Sequence, residues 1–313
     1  MAITHAEHPV FREFDRYAGE AEPGFRINFL GQRTNPAFGA PSDAFRQWLR
    51  PGQDVSEASA AEYPPVSEES FEWIAVLEAV LEARATFTML ELGAGYGRWM
   101  VAAVCAARQK LPDLTFKLIG VEAEPTHFGY MRQHFLDNGV DPREHKLIEA
   151  AVNATGKPVT FIVGHSEEWY GQSIMQQGSV ISDYPTARII RVPAVRLVDL
   201  LKPHKYVDII DADIQGTELE VITSSITAMT KKVRRAYIST HSAAIHTEVA
   251  QAFTTAGWKP RALHGWTGEK EEETKFGPIS FVDGIQYWLN PHITQRRETG
   301  TGLLGLLGFG RRG

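Results

Sequence analysis

Apolar residues recur at helical spacing between positions 71 and 81, with Phe71, Ile74, Ala75, Leu77, Val80 and Leu81 on one face. The spacing predicts a helix, capped by Ser67 and opened by Glu68 and Glu69, whose charges suit a helix start. A mostly apolar run over 87–92 then reads as a buried strand. Three glycines follow within five residues, and WMVAAVCAA over 99–107 resumes as a buried helix ending near Pro112. Further strand patterns lie at 116–124, 145–153, 159–163, 189–195, 206–212, 235–241, 258–264 and 284–291. Helical patterns lie at 126–138, 197–201, 216–229 and 246–257. This alternation predicts an α/β fold on a mainly parallel, doubly wound sheet.

The flanks lack such periodicity. Residues 1–66 hold a short helical pattern at 11–17 and a short strand or ordered loop at 25–34, punctuated by prolines. The segment bears aromatic residues, which argues against disorder. It reads as a lid or a packing arm, with Gln32, Arg33 and Thr34 as the lid candidates. The last residues, GTGLLGLLGFGRRG, are apolar but interrupted by glycine, which opposes a stable helix. The expected division is an arm over 1–66, a main domain over 67–294 and a flexible tail over 295–313.

Composition narrows the functional classes. With 313 residues the chain can bury a large core, and a net charge of −6 gives no global attraction to nucleic acid. The lone cysteine, Cys105, lies in an apolar helix and reads as core. No apolar run is long enough to span a membrane, and the N-terminus lacks a secretory pattern, so a cytoplasmic location is expected. The aromatic arm would suit a homodimer.

The glycine turn carries the first chemical signal. In ELGAGYGRW over 91–99, glycines 93, 95 and 97 occupy first, third and fifth positions, whereas a dinucleotide fingerprint wants first, third and sixth. Glu91 stands two residues before the turn, where a carboxylate would repel a pyrophosphate and suit a cationic ligand. The strand at 116–124 ends in Glu122 and Glu124; an acidic residue there can accept from both hydroxyls of a ribose. Glu124 is the favoured one, because Pro125 sets up the next helix. The end of the third strand, around Ala151, is expected near an adenine. A second acidic strand end, Asp211-Ala-Asp213, precedes Gly216 and a helix. Carboxylates two apart on a strand share a side, here toward the crevice where open α/β sheets bind ligands. His241 ends the next strand, and His246 lies nearby.

Two stretches together resemble a known family. E-x-G-x-G-x-G over 91–97 resembles motif I of class I S-adenosylmethionine (SAM) methyltransferases. VDIIDADIQGTELEVI over 207–222 is similar to the FkbM-type methyltransferase signature, and Ala123-Glu124-Pro125, Ala150-Ala-Val-Asn153 and Tyr170-Gly-Gln-Ser173-Ile174 resemble its other motifs in order. The resemblance covers about residues 87–260. Asp211 replaces the family's lysine and Gln215 its glutamate. It implies a class I, Rossmann-like, seven-stranded sheet with an N-terminal extension and SAM as methyl donor. It also implies O-methylation of a hydroxyl on a small molecule or glycan.

By the same resemblance Glu91, Gly93, Gly95 and Gly97 would hold the methionine end of SAM and Glu124 the ribose, while Asp213 would also touch the cofactor and act as base or orient the acceptor. Three roles stay open for His241: general base at neutral pH, structural histidine, or a ligand with Asp211 and Asp213 for Mg²⁺ or another divalent cation. Two alternatives share the fold, an N-methyltransferase and a non-catalytic SAM-binding scaffold. The glycine spacing and Glu91 speak against a nicotinamide oxidoreductase.

Overall fold

The structure, a computed structural model, describes residues 2–20, 22–38, 61–163, 173–174, 188–265 and 271–293. Tyr170, Gly171 and Gln172 of the small-residue loop, and the C-terminal tail, lie outside the described residues.

Seven strands build the central sheet: β1 (Thr86–Leu92), β2 (Thr115–Glu122), β3 (Lys146–Glu149), β4 (Val207–Ala212), β5 (Val233–Thr240), β6 (Lys259–His264) and β7 (Gly284–Leu289). Their order across the sheet is β6-β7-β5-β4-β1-β2-β3. All neighbours run parallel except β7, which is antiparallel to both β5 and β6. This is the mainly parallel, seven-stranded α/β sheet expected from the sequence. The chain reverses direction of growth between β1 and β4, and ligands of open α/β sheets bind at the strand ends of such a switch point.

Helices α1 (Glu69–Glu82), α2 (Arg98–Lys110), α3 (Pro125–Asp137), α4 (Leu197–Leu201), α5 (Glu218–Lys232) and α6 (Ala243–Thr255) cover the sheet. Side chains alternate between two apolar layers, as strand geometry demands. Met89 and Ile209 enter one layer with Trp73, Trp99 and Met100 from α1 and α2. Leu90 and Ile210 enter the other with Val221, Ile222 and Phe253 from α5 and α6. The N-terminal arm contributes Phe11 and Phe29, both fully buried, to the first layer. Burying each such ring contributes about 1.5–3 kcal/mol.

Gln32 is also buried, with its Nε2 donating to the Arg98 carbonyl at 2.9 Å. The backbone N–H of Arg33 donates to Asn138 Oδ1 at 2.8 Å. Both residues thus strap the arm to α2 and α3. No helix among the described residues is long and apolar enough to cross a membrane.

Three local expectations change. Ser67 does not cap α1: the cap position is Glu68, and its carboxylate accepts from the Val282 N–H at 2.8 Å instead. The pattern at 145–153 splits, because after β3 the pair Ala151–Val152 leaves the sheet to run parallel to Ala194–Val195. Pro193, which has no N–H to give a ladder, separates that second pair from Arg188–Val192. Val159–Val163 likewise joins a separate antiparallel sheet with Ser173–Ile174 and Arg188–Val192.

Candidate active site

The glycine turn lies at the switch point. Gly93, Gly95 and Gly97 all take positive φ. At Gly93 the need for glycine is steric as well: a Cβ there would meet the Asp213 carbonyl oxygen at 1.7 Å. The ends of β1 and β4 therefore touch. The N–H groups of Gly93 and Ala94 both donate to the Val121 carbonyl, and that of Gly95 donates to Glu122 Oε2 at 2.7 Å.

Beside the turn opens a cleft of about 680 Å³, part of it continuous with solvent. Val121, Ala150, Ala151, Val152 and Phe161 give it small and apolar walls, and Gly93, Gly95, Glu122 and Asp213 give it a polar rim. Of the residues expected from sequence, Gly93, Gly95, Ala151 and Asp213 line it, whereas Glu91, Gly97 and Glu124 do not.

The two glutamates are occupied elsewhere. Glu91 accepts from the N–H groups of Trp99 and Met100, at 3.3 and 2.9 Å, and so closes the start of α2. Burial, and then the neighbouring Asp211, push its carboxyl well above the usual range. Glu124 is the N-cap of α3 and accepts from the His127 N–H at 2.7 Å. The proline that made Glu124 attractive from sequence is what commits it: proline at the first helical position makes the preceding residue the cap.

Glu122 faces the cleft in its place. It accepts from the N–H groups of Gly95 and Glu124, and burial lifts it to about 7. Those two bonds leave acceptor capacity on a carboxylate.

On the other side of Asp213 lies an acidic crevice. Asp213 Oδ1 accepts from Gln215 Nε2 at 3.0 Å and stands 3.2 Å from His241 Nε2. Gln215 has φ of 50°, the one positive value on a non-glycine among the described residues. Such a conformation costs about 1–2 kcal/mol, and here it turns the chain sharply after β4. His241 Nδ1 lies 2.8 Å from Glu218 Oε1, and its Nε2 also lies 3.6 Å from Asp283 Oδ1. Burial disfavours the charged ring, yet Asp213 and Glu218 outweigh it and raise His241 to about 10. These carboxylates favour the protonated imidazole at neutral pH. The expectation of a neutral base at His241 does not fit this environment.

Asp211 and Asp213 do not act as a pair. Asp211 is within β4, on the same face as Ile209, and reaches Glu72 of α1 by a carboxyl–carboxyl hydrogen bond. Asp213 is already past the strand end and turns into the cleft. Asp211, Asp213 and His241 thus do not converge, and among the described residues no group of three His, Cys, Asp or Glu side chains is arranged to hold a metal ion. His246 is engaged with Thr240 Oγ1 at 2.9 Å.

Glu218, Asp283 and Glu72 were not picked out by sequence. Glu218 had a signal, two positions past the Gly216 turn in the acidic stretch. The other two had none, because they reach the crevice from a distant helix and from the loop before β7.

A family model described as Methyltransferase FkbM domain matches residues 92–263. A protein of Jannaschia sp. (strain CCS1) that carries a provisional methyltransferase name is 27% identical over 253 residues, covering 79% of this chain and 86% of that one. Among solved structures, the METTL16 methyltransferase domain is similar over 91% of this chain and 90% of its own, at 12% identity and a TM-score of 0.41. The precorrin-6y C5,15-methyltransferase of Geobacter metallireducens GS-15 is similar over 72% and 89%, at 12% identity and a TM-score of 0.37.

Proposed function

The chain belongs to the FkbM family of methyltransferases, and on that premise we propose that it transfers a methyl group from SAM to a hydroxyl oxygen of a small molecule or glycan. One observation carries the proposal: Asp213 lines the cleft beside Gly93 and at the same time faces His241 in the crevice, so a single carboxylate borders both.

The cleft suits SAM. Its apolar walls fit an adenine, and Glu122 offers acceptor oxygens to ribose hydroxyls. When bound, SAM supplies a methyl group on a sulfonium centre, with a neutral thioether as leaving group. The residues supply alignment and a place for the proton. Asp213 would take the proton that the acceptor hydroxyl gives up. His241, charged and held from behind by Glu218, fixes the orientation of Asp213 and is a positioning residue. The net charge of −6 favours a small molecule or glycan over nucleic acid as acceptor.

Calorimetric titration of SAM, with NAD as a control, tests the cofactor. Absence of SAM binding would sink the reading. Radiolabelled methyl transfer to a panel of hydroxyl acceptors then tests the chemistry. Asp213→Asn is expected to lower kcat by about 10²–10⁴-fold, the usual worth of a general base, with little change in SAM affinity. An unaltered rate would remove Asp213 from the base role, and a rate lost on adding a chelator would restore a metal.

A further inference from the structure

The acceptor crevice holds far more negative charge than methyl transfer to a neutral hydroxyl needs. Glu68, Glu72, Asp211, Asp213 and Asp283 form one electrostatically connected group across α1, β4 and the loop before β7. Among the described residues, the two cations beside them are already paired: Arg98 makes two bonds to Glu69, at 2.6 and 2.8 Å, and His241 is held by Glu218 at 2.8 Å.

The crowding is visible in the chemistry. Glu72 must keep a proton to donate to Asp211, and burial lifts Glu68 and Asp211 to about 7 and Asp283 to about 6.

An acidic cluster alone does not define a site, but one buried, unpaired acceptor here points to a missing donor. Asp211 is 3% exposed, and its Oδ1 has no hydrogen-bond partner. Burying a carboxylate oxygen without a donor is costly. Glu68, Glu72, Asp213 and Asp283 are each half-buried, so the group is reachable from solvent while Asp211 forms its dry end.

We propose that the acceptor carries a protonated amine, and that this ammonium group seats against Asp211 and Glu72 while another part of the molecule meets Asp213. An ammonium has three donors and no acceptor, which matches an orphaned carboxylate oxygen beside a second carboxyl group. It also supplies the positive charge that the crevice lacks. This proposal rests on the methyltransferase reading for the role of the ligand, though not for its binding.

The test therefore measures binding first. The full chain is titrated with 1,4-diaminobutane and, separately, with 1,4-butanediol, in the presence and absence of SAM. The diamine is expected to bind at least tenfold more tightly than the diol. Asp211→Asn and Glu72→Gln, both nearly isosteric, are each expected to weaken the diamine at least fivefold and leave SAM affinity unchanged.

Asp211→Lys tethers an ammonium at the site. It is expected to hold or raise the melting temperature and to abolish diamine binding. Equal binding of diamine and diol, or diamine binding unmoved in all three variants, overturns the proposal. Diamine binding that depends on Asp211 in a protein that does not bind SAM would sustain the cation site and remove the methyl transfer. SAM binding without amine selectivity would do the reverse.

Discussion

Gly93 sits so close to the carbonyl oxygen of Asp213 that a Cβ placed on it would lie 1.7 Å away. That contact joins the two strand ends on which the cleft is built, and the obstacle is backbone, which cannot rotate aside. The φ of 73° at Gly93 adds a second penalty for any side chain, about 1–3 kcal/mol. Gly93→Ala is therefore expected to lower the melting temperature and to weaken SAM binding at least tenfold. Gly129→Ala is the control. Gly129 is exposed within α3, with nothing within 4 Å of a Cβ, so alanine there is expected to stabilise by about 0.5–1 kcal/mol. Indistinguishable melting curves for the two variants would refute the steric argument.

Glu122 and Glu124 separate binding from capping. Glu122 lines the cleft, whereas Glu124 spends its carboxylate on the His127 N–H. Glu122→Gln is expected to weaken SAM by an order of magnitude at constant stability within about 1 kcal/mol. Glu124→Ala is expected to cost about 0.5–2 kcal/mol of folding stability, the usual worth of a cap, with a much smaller effect on SAM. Parallel titrations and denaturant curves check both. The opposite assignment of losses would return the ribose to Glu124.

The contrast between these two residues shows where the sequence was informative. Strand and helix order, the glycine turn and the acidic end of β4 were all legible, because each depends on local periodicity and on backbone demands that few residues meet. The direction of a buried carboxylate was not. Glu91 and Glu124 read from sequence as ligand contacts, whereas in the fold they bond to helix starts. Asp211 and Asp213, two apart, should share a side, but β4 ends at Ala212 and the spacing rule stops with it. Glu72, Asp283 and Glu68 enter the crevice through tertiary contacts, for which one sequence carries no period.

His241 is expected to titrate far from the ordinary histidine range. Two carboxylates, Asp213 and Glu218, outweigh its burial and hold it near 10. Its imidazole resonances, followed by NMR between pH 5 and 11, should show no inflection near 6.5. Glu218→Gln should bring the inflection down by removing the partner at 2.8 Å. In the active enzyme, the pH–rate profile should lack a histidine limb between 6 and 7. An inflection near 6.5 in the wild-type chain would return His241 to the role of neutral base.

The same charge distribution fixes how stability varies with pH when no ligand is bound. Glu68, Glu122, Asp208 and Asp211 are each raised to about 7 by burial, first of all, against ordinary values near 4. Between those values the folded protein holds protons that the unfolded chain has lost. Their stabilising contribution is thus complete at low pH and disappears as pH rises through 7.

His241 acts with the same sign, because its raised value keeps a proton on the folded state until about pH 10. His8 and His134, lowered to about 4 by burial, oppose this trend only below the ordinary histidine value of 6.5. The window from pH 6.5 to 8 is therefore dominated by the raised groups. Unfolding by denaturant is expected to show a loss on the order of 1–3 kcal/mol across it, at about 1.4 kcal/mol per pH unit for each proton of difference. Asp211→Asn removes one of these protons and should flatten the slope. A stability that is level or rising from pH 6.5 to 8 would show that the carboxyl groups are ionised and compensated in the folded chain.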